Sequence, residues 1–279
     1  MSATATPQDL TGPRTTYRPP HAGIAALADY PAAPVSRILD ATTPGAELFA
    51  VLVAIGGDIP LHYHPVMEFQ FVLSGTGLAL DADGGDMAIG PGDAVVSPAG
   101  PTGAHGFRNT GALPLTLLCV YPAPGGATPG RSPFEPGTPV GPGPRTSRTA
   151  AAEARWARPD YPDAPVARLL DETDPGAELF AVLVAIQGEI PLHYHPVFEL
   201  QYVLSGHGLA LDADGGETPI GPGGSVLSPA GAAGAHGFRN MGSLPLQLLC
   251  VYPSVGGAAP GREPFSLGGR AGPGASRVA

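Results

Sequence analysis

Hydrophobic residues in this chain come in short runs of strand length broken by turn signals. ELFAVLVAI, EFQFVLSG, GLALDAD, AVVSPAG, AHGFRN and LPLTLLCVY are such runs. Between them, Asp83-Gly84 and Gly90-Pro91-Gly92-Asp93 supply the positive and fixed φ values that hairpins need. Side chains two residues apart share one face of a strand. In PLHYHPVMEFQFVLSG, from Pro60, His62 and His64 therefore point the same way. Beyond the Pro65 turn, Glu68, Gln70 and Val72 share one face, while Phe69 and Phe71 share the other. Many short antiparallel strands in units of about 100 residues predict an all-β fold of jelly rolls or small barrels.

The pattern is written twice, at a constant offset of 131 residues that relates His62 to His193, His105 to His236 and Cys119 to Cys250. From Tyr30 and Tyr161 the two copies differ at five positions through FAVLVAI. The match continues without a gap to PGRSPF and PGREPF, which marks duplication of a whole domain. The expected organisation is an N-terminal extension (1–29), a first domain (30–122), a linker (123–160), a second domain (161–253) and a tail (254–279). The linker and tail are too rich in Pro and Gly to form a core. Their composition suits either an unstructured tether or a wrap over the neighbouring domain.

Composition adds exclusions. With 279 residues, 43% hydrophobic and only 14% charged, the chain can bury two ordinary cores, and 41 Gly with 35 Pro favour strands and tight turns. A formal charge of −10, with no basic cluster, argues against a nucleic-acid partner. The first residues lack a basic segment followed by an apolar one, and no apolar run reaches bilayer length, so no membrane partner and a cytoplasmic location are expected. Cys119 and Cys250 occupy equivalent positions in separate units and are expected to be reduced core thiols.

Between the copies, Glu68, Gln70 and Val72 recur as Glu199, Gln201 and Val203, whereas Met67, Phe69 and Phe71 become Phe198, Leu200 and Tyr202. One face thus packs loosely specified apolar neighbours, and the other performs a task that needs particular atoms. That task is read as metal ligation. His62, His64, Glu68 and His105, and in the second copy His193, His195, Glu199 and His236, offer neutral imidazoles and one carboxylate, a donor set for first-row divalent metals. His21 and His207 fall outside the pattern and are expected to be solvated.

These spacings resemble the cupin superfamily, in particular its two-domain bicupins. The first cupin motif fits Gly56, His62, His64, Glu68 and Gly75; the second fits Gly92, Pro98, Gly100, His105 and Asn109. Gly206, Gly223, Pro229, Gly231 and Asn240 complete the motifs around the second ligand set. Two departures are visible. Gln187 replaces the leading Gly of the second copy, and four residues, instead of two, separate Gly100 from His105 and Gly231 from His236. The longer turn is expected to move the loop more than the ligand.

The resemblance implies two tandem cupin-type jelly-roll barrels, each holding one Fe2+, Mn2+, Ni2+, Cu2+ or Zn2+ ion, in a monomer or homo-oligomer that acts on a small molecule. A dioxygenase is the first reading, with Glu68 and Glu199 as candidate general bases and Gln70 and Gln201 as candidate orienting groups. A non-redox cyclase, isomerase or lyase and a non-catalytic binding cupin are the alternatives. Val51, Val53, Ile55, Val72, Phe107 and Leu117, with their copies, make the expected pocket apolar and suited to an aromatic or polyketide-like molecule. Arg37 and Arg168 are candidate anion handles at the barrel mouth, against an ordinary exposed role, while Arg108 and Arg239 are expected to face away.

Overall fold

A computed structural model describes residues 10–20, 25–27, 30–151, 156–157 and 163–267. His21 lies outside them. The described residues form two tandem β barrels with only 3-10 turns for helix, as the alternation and turn chemistry predict. None of these helices is long and apolar enough to cross a membrane.

Each barrel is two antiparallel sheets facing one another. In the first, a seven-stranded sheet runs in the order Ser147–Thr149, Ala94–Ser97, Glu68–Ser74, Leu115–Pro122, Leu48–Ile55, Tyr30–Leu39, Ala25–Leu27. Its companion is five-stranded: Ser132–Pro133, Asp58–Tyr63, His105–Asn109, Gly77–Asp81, Asp86–Ile89. The second barrel repeats both sheets around Glu199–Ser205, Leu246–Pro253, Glu189–Tyr194 and His236–Asn240.

Strand parity sorts the side chains into two kinds of core. Inward residues of the first barrel, among them Val51, Val53, Val72, Phe107 and Leu117, form its interior, and Val182, Val184, Val203, Phe238 and Leu248 do so in the second. The opposite faces of the two large sheets meet each other. Met67, Phe69, Phe71, Leu118 and Val120 merge with Phe198, Leu200, Tyr202, Leu249 and Val251 into one core between the barrels. Two carboxylates clip this interface reciprocally: Met67 N–H donates to Glu178 Oε2 at 2.8 Å, and Phe198 N–H to Glu47 Oε2 at 2.7 Å.

The Pro/Gly-rich segments lie along the barrels. Ser132–Pro133 pairs with Tyr63 and His62, and Glu263–Pro264 pairs with Tyr194 and His193. The arms preceding the two copies are exchanged. Ser147–Thr149, just ahead of the second copy, adds to the edge strand Ala94–Ser97 of the first barrel. Thr16–Arg18, ahead of the first copy, adds to Ser225–Ser228 of the second. Equivalent anchors hold both arms: Arg14 pairs with Asp214 at 3.1 Å and Arg145 with Asp83 at 2.7 Å. Likewise Thr15 Oγ1 donates to Gly234 O and Thr146 Oγ1 to Gly103 O. The internal repeat therefore extends to GPRT at Gly12 and at Gly143.

Candidate metal centres

The eight sequence-predicted ligands converge in two groups of four. His62 and His105 face each other across the pair of strands Asp58–Tyr63 and His105–Asn109. Glu68 opens the strand Glu68–Ser74 of the opposite sheet, so the cluster bridges both sheets inside the barrel. One potential ligand atom from each of His62, His64, Glu68 and His105 lies within 4.8 Å of the others, and the same holds for His193, His195, Glu199 and His236. All eight side chains are buried.

The turn before His105 shows how its longer spacing is accommodated. Gly100, at φ 80°, starts a 3-10 turn over Pro101–Gly103, and its N–H donates to His64 O at 2.8 Å. A side chain at Gly103 would collide with the Pro98 carbonyl, so glycine is needed where the turn folds back. The longer turn is taken up there while His105 keeps its register against His62.

Backbone carbonyls fix the imidazoles. His62 Nδ1 lies 2.9 Å from Pro60 O, His64 Nδ1 2.8 Å from Gly130 O, and His105 Nδ1 3.0 Å from Gly103 O. Pro191, Gly261 and Gly234 serve the second copy identically. A neutral ring that donates from Nδ1 presents a lone pair at Nε2. The Nε2 atoms of His64 and His105 then face Glu68 Oε2 at 3.1 and 2.9 Å, and those of His195 and His236 face Glu199 Oε2 at 3.3 and 2.8 Å. Acceptor facing acceptor at such distances is repulsive unless a cation lies among them. His64 Nε2, His195 Nε2, His236 Nε2 and Glu199 Oε2 are indeed buried without a hydrogen-bond partner. The residues fit a divalent first-row metal, one per barrel.

The electrostatics agree for His62, His193 and both glutamates. Burial, then the neighbouring His105 or His236, pulls the His62 and His193 pKa values down to about 3, so both are neutral donors at pH 7. Burial opposes charge on Glu68 and Glu199 also, but His105 and His64, or His236 and His195, outweigh it and hold both carboxyls well below their usual range. For His64 and His195 the same contest ends with the pKa raised by the adjacent glutamate.

Beside each cluster stand a tyrosine and an arginine that were not singled out from the sequence, and a cysteine that was read only as a core thiol. Tyr252 Oη donates to Glu199 Oε1 at 2.5 Å, Tyr121 lies beside Glu68 at the matching position, and both phenols are held protonated by burial and then by the glutamate charge. Each ring stands edge-on to a ligand, with Tyr121–His64 and Tyr252–His195 centroids 5.1 Å apart. Cys119 and Cys250 are free, buried thiols facing the same glutamates. Arg131 and Arg262, from the Pro/Gly-rich segments, line the cavities. Alternation from Leu117 through Cys119 to Tyr121 would have placed the thiol and phenol inward; nothing local marks the arginines.

Gln70 and Gln201 are fully buried, and each amide donates to a serine hydroxyl at 3.2 Å, Ser97 or Ser228. Arg108 lies outside against Asp58, and Arg239 against Glu189 and Glu217. His207 is exposed. The cavity above the first centre is about 280 Å³ and is walled by Val35, Phe49, Val51, Val53, Phe107 and Leu117, while its counterpart is about 110 Å³. Ile55 and Val72 belong to the core beneath.

Comparison with known proteins agrees with this architecture. A family model described as "Cupin domain" matches residues 49–121 and again 180–252. No curated protein sequence matches the chain. Among solved structures, a point mutant of Bacillus subtilis oxalate decarboxylase is 18% identical with a TM-score of 0.60, covering 80% of this chain and 73% of that one. The Lactobacillus farciminis oxalate decarboxylase in complex with formate is 18% identical at 0.62, covering 88% and 86%. Protein Ylba from E. coli is 14% identical at 0.63, covering 88% and 93%. At these identities the likeness is one of fold. The doubled family match, the paired barrels and the two His/Glu clusters together establish that the chain belongs to the cupin family, as a bicupin with one buried metal centre in each half.

Proposed function

We propose that this bicupin is a metal-dependent enzyme whose working centre is that of the first barrel, with a dioxygenase acting on a compact aromatic or diketone-like molecule as the leading reading. The observation that carries it is the larger cavity, which opens directly onto His62, His64 and Glu68 between apolar walls. A divalent ion held there would supply Lewis acidity and, if redox-active, electron exchange with dioxygen. The chain's own residues divide the remaining work. Val35, Phe49, Val51 and Val53 exclude water and contact an apolar body. Among the described residues that line the cavity, Glu68 is the carboxylate placed to take a substrate proton, and Tyr121 beside it is a protonated phenol that can donate one. Gln70 supports this arrangement through Ser97, as Gln201 does its copy through Ser228.

A non-redox lyase or isomerase is the second reading, favoured by the protonated phenol and thiol next to each glutamate and by the fold shared with oxalate decarboxylases. The discriminating experiment is metal analysis followed by an oxygen-electrode screen of aromatic and diketone compounds, with Fe2+, Mn2+, Ni2+, Cu2+ or Zn2+ loaded in turn. Substrate-dependent oxygen uptake that His62→Ala removes supports the dioxygenase. Turnover that proceeds anaerobically, with zinc as well as with redox metals, replaces it with the second reading.

A further inference from the structure

The two cavities have nearly the same walls and different mouths. Arg37 sits opposite Val51 in the strand register and Arg168 opposite Val182, so both side chains leave the sheet on the barrel side. Only Arg37 lines its cavity. Among the described residues it pairs with Asp40, at a loose 3.8 Å. Arg168 is drawn away by two acids, Asp171 at 3.3 Å and Glu172 at 3.2 Å, and its guanidinium lies over the Phe180 ring at 5.9 Å. Glu172 has no counterpart in the first copy, where the position is Ala41. The polar hydroxyl of Thr128 at the first cavity likewise becomes Ala259.

We infer that the first cavity selects a compact, mainly hydrophobic monoanion: its oxygen-bearing end meets the metal centre, its apolar body fills the cavity, and its carboxylate is held at the mouth by Arg37. The second barrel, whose equivalent arginine is committed to Glu172, makes no such selection. This rests on the first barrel being the working centre and supplies its substrate class. Arg131 lines this cavity as Arg262 lines the other, so the difference between the two mouths rests on Arg37.

The test is a binding titration and needs no turnover, so it stands apart from the reaction assigned above. Zinc-loaded His193→Ala protein, with metal only in the first barrel, is titrated calorimetrically with dihydrocaffeate, whose catechol can reach the metal, and with its uncharged carboxamide. The acid is expected to bind roughly ten-fold more tightly than the amide, the worth of a charge-assisted pair over a neutral one. Arg37→Ala and Ala41→Glu should each bring that ratio to about one while leaving zinc content unchanged, and Arg37→Lys should keep part of it. Arg37 is well exposed, so its replacement does not threaten folding. An unchanged ratio in Arg37→Ala, an equal ratio in zinc-loaded His62→Ala protein, which keeps only the second centre, or no binding of either compound despite bound zinc would overturn the inference. Oxygen uptake or anaerobic turnover persisting alongside any of these would leave the enzymatic reading in place.

Discussion

The strand Glu68–Ser74 and its copy Glu199–Ser205 have two faces that meet different demands within one molecule. Inward, Glu-Gln-Val recurs unchanged, because a carboxylate oxygen beside the His64 and His105 nitrogens has no substitute of similar shape and charge. Outward, Met67, Phe69 and Phe71 meet Phe198, Leu200 and Tyr202 across the interface between the barrels, and these three positions differ between the copies while Leu73 and Leu204 at the edge of the interface are the same. Dispersion and area removed from water depend on volume more than on atom identity, so this face tolerates exchange while the total is kept. The lesson is that one strand can be specified atom by atom on one side and only by bulk on the other.

The sharpest way to break that contrast is to strike each face and read both metal content and stability. His62→Ala should remove about one of two metal equivalents per chain, His193→Ala the other, and the double variant both, as measured by elemental analysis. Unchanged metal in both single variants would sink the assignment. Phe69→Ala, at a fully buried outward position, should cost about 3–5 kcal/mol in denaturant unfolding while both metals stay bound.

A graded effect is expected from acid. His62 and His193 titrate near 3 in the folded chain against 6.5 unfolded, so between those values the unfolded state takes up protons that the native state refuses. Their contribution is full above pH 6.5 and is lost as pH falls through the window toward 3, the depressed glutamates add a loss below 4.5, and the raised His64 and His195 contribute a gain that is already complete at pH 6.5, above this window. In metal-free protein, His62→Gln should therefore flatten the dependence of melting temperature on pH in that window; an unaltered slope would refute the role of burial at His62.

Smaller effects test the interface. Glu178→Gln weakens the acceptor of the Met67 N–H and should cost about 1–2 kcal/mol. Phe71→Tyr, which copies the residue that the second barrel already holds at Tyr202, should change stability by less than about 0.5 kcal/mol. A large loss there would show that the outward face is atom-specified after all.

Most of the fold and the ligand sets were legible in the sequence for a common reason: alternation, turn residues and motif spacing are local, and the duplication displayed them twice. His62, His64 and Glu68 lie within seven residues of one another, and His105 follows a turn whose glycines are visible in the chain. What was not legible depends on distant contacts. Phe69 and Phe71 read as apolar-facing, but nothing nearby says that their partner is the other barrel. Arg131 enters the cavity only because Ser132–Pro133 zips onto Tyr63 and His62. Thr16–Arg18 is three residues long, too short to announce a strand, and its partner lies more than 200 positions away.

That last pairing has a further consequence. The stretch Glu135–Thr138 between the copies is exposed, and a single protease clip there would yield two fragments, each carrying the strand that finishes the other's sheet. Such pieces should remain interlocked and co-migrate as one native particle, separating only on a denaturing gel, whereas either half made alone would present a raw edge at Ala94–Ser97 or Ser225–Ser228 and a bare greasy flank.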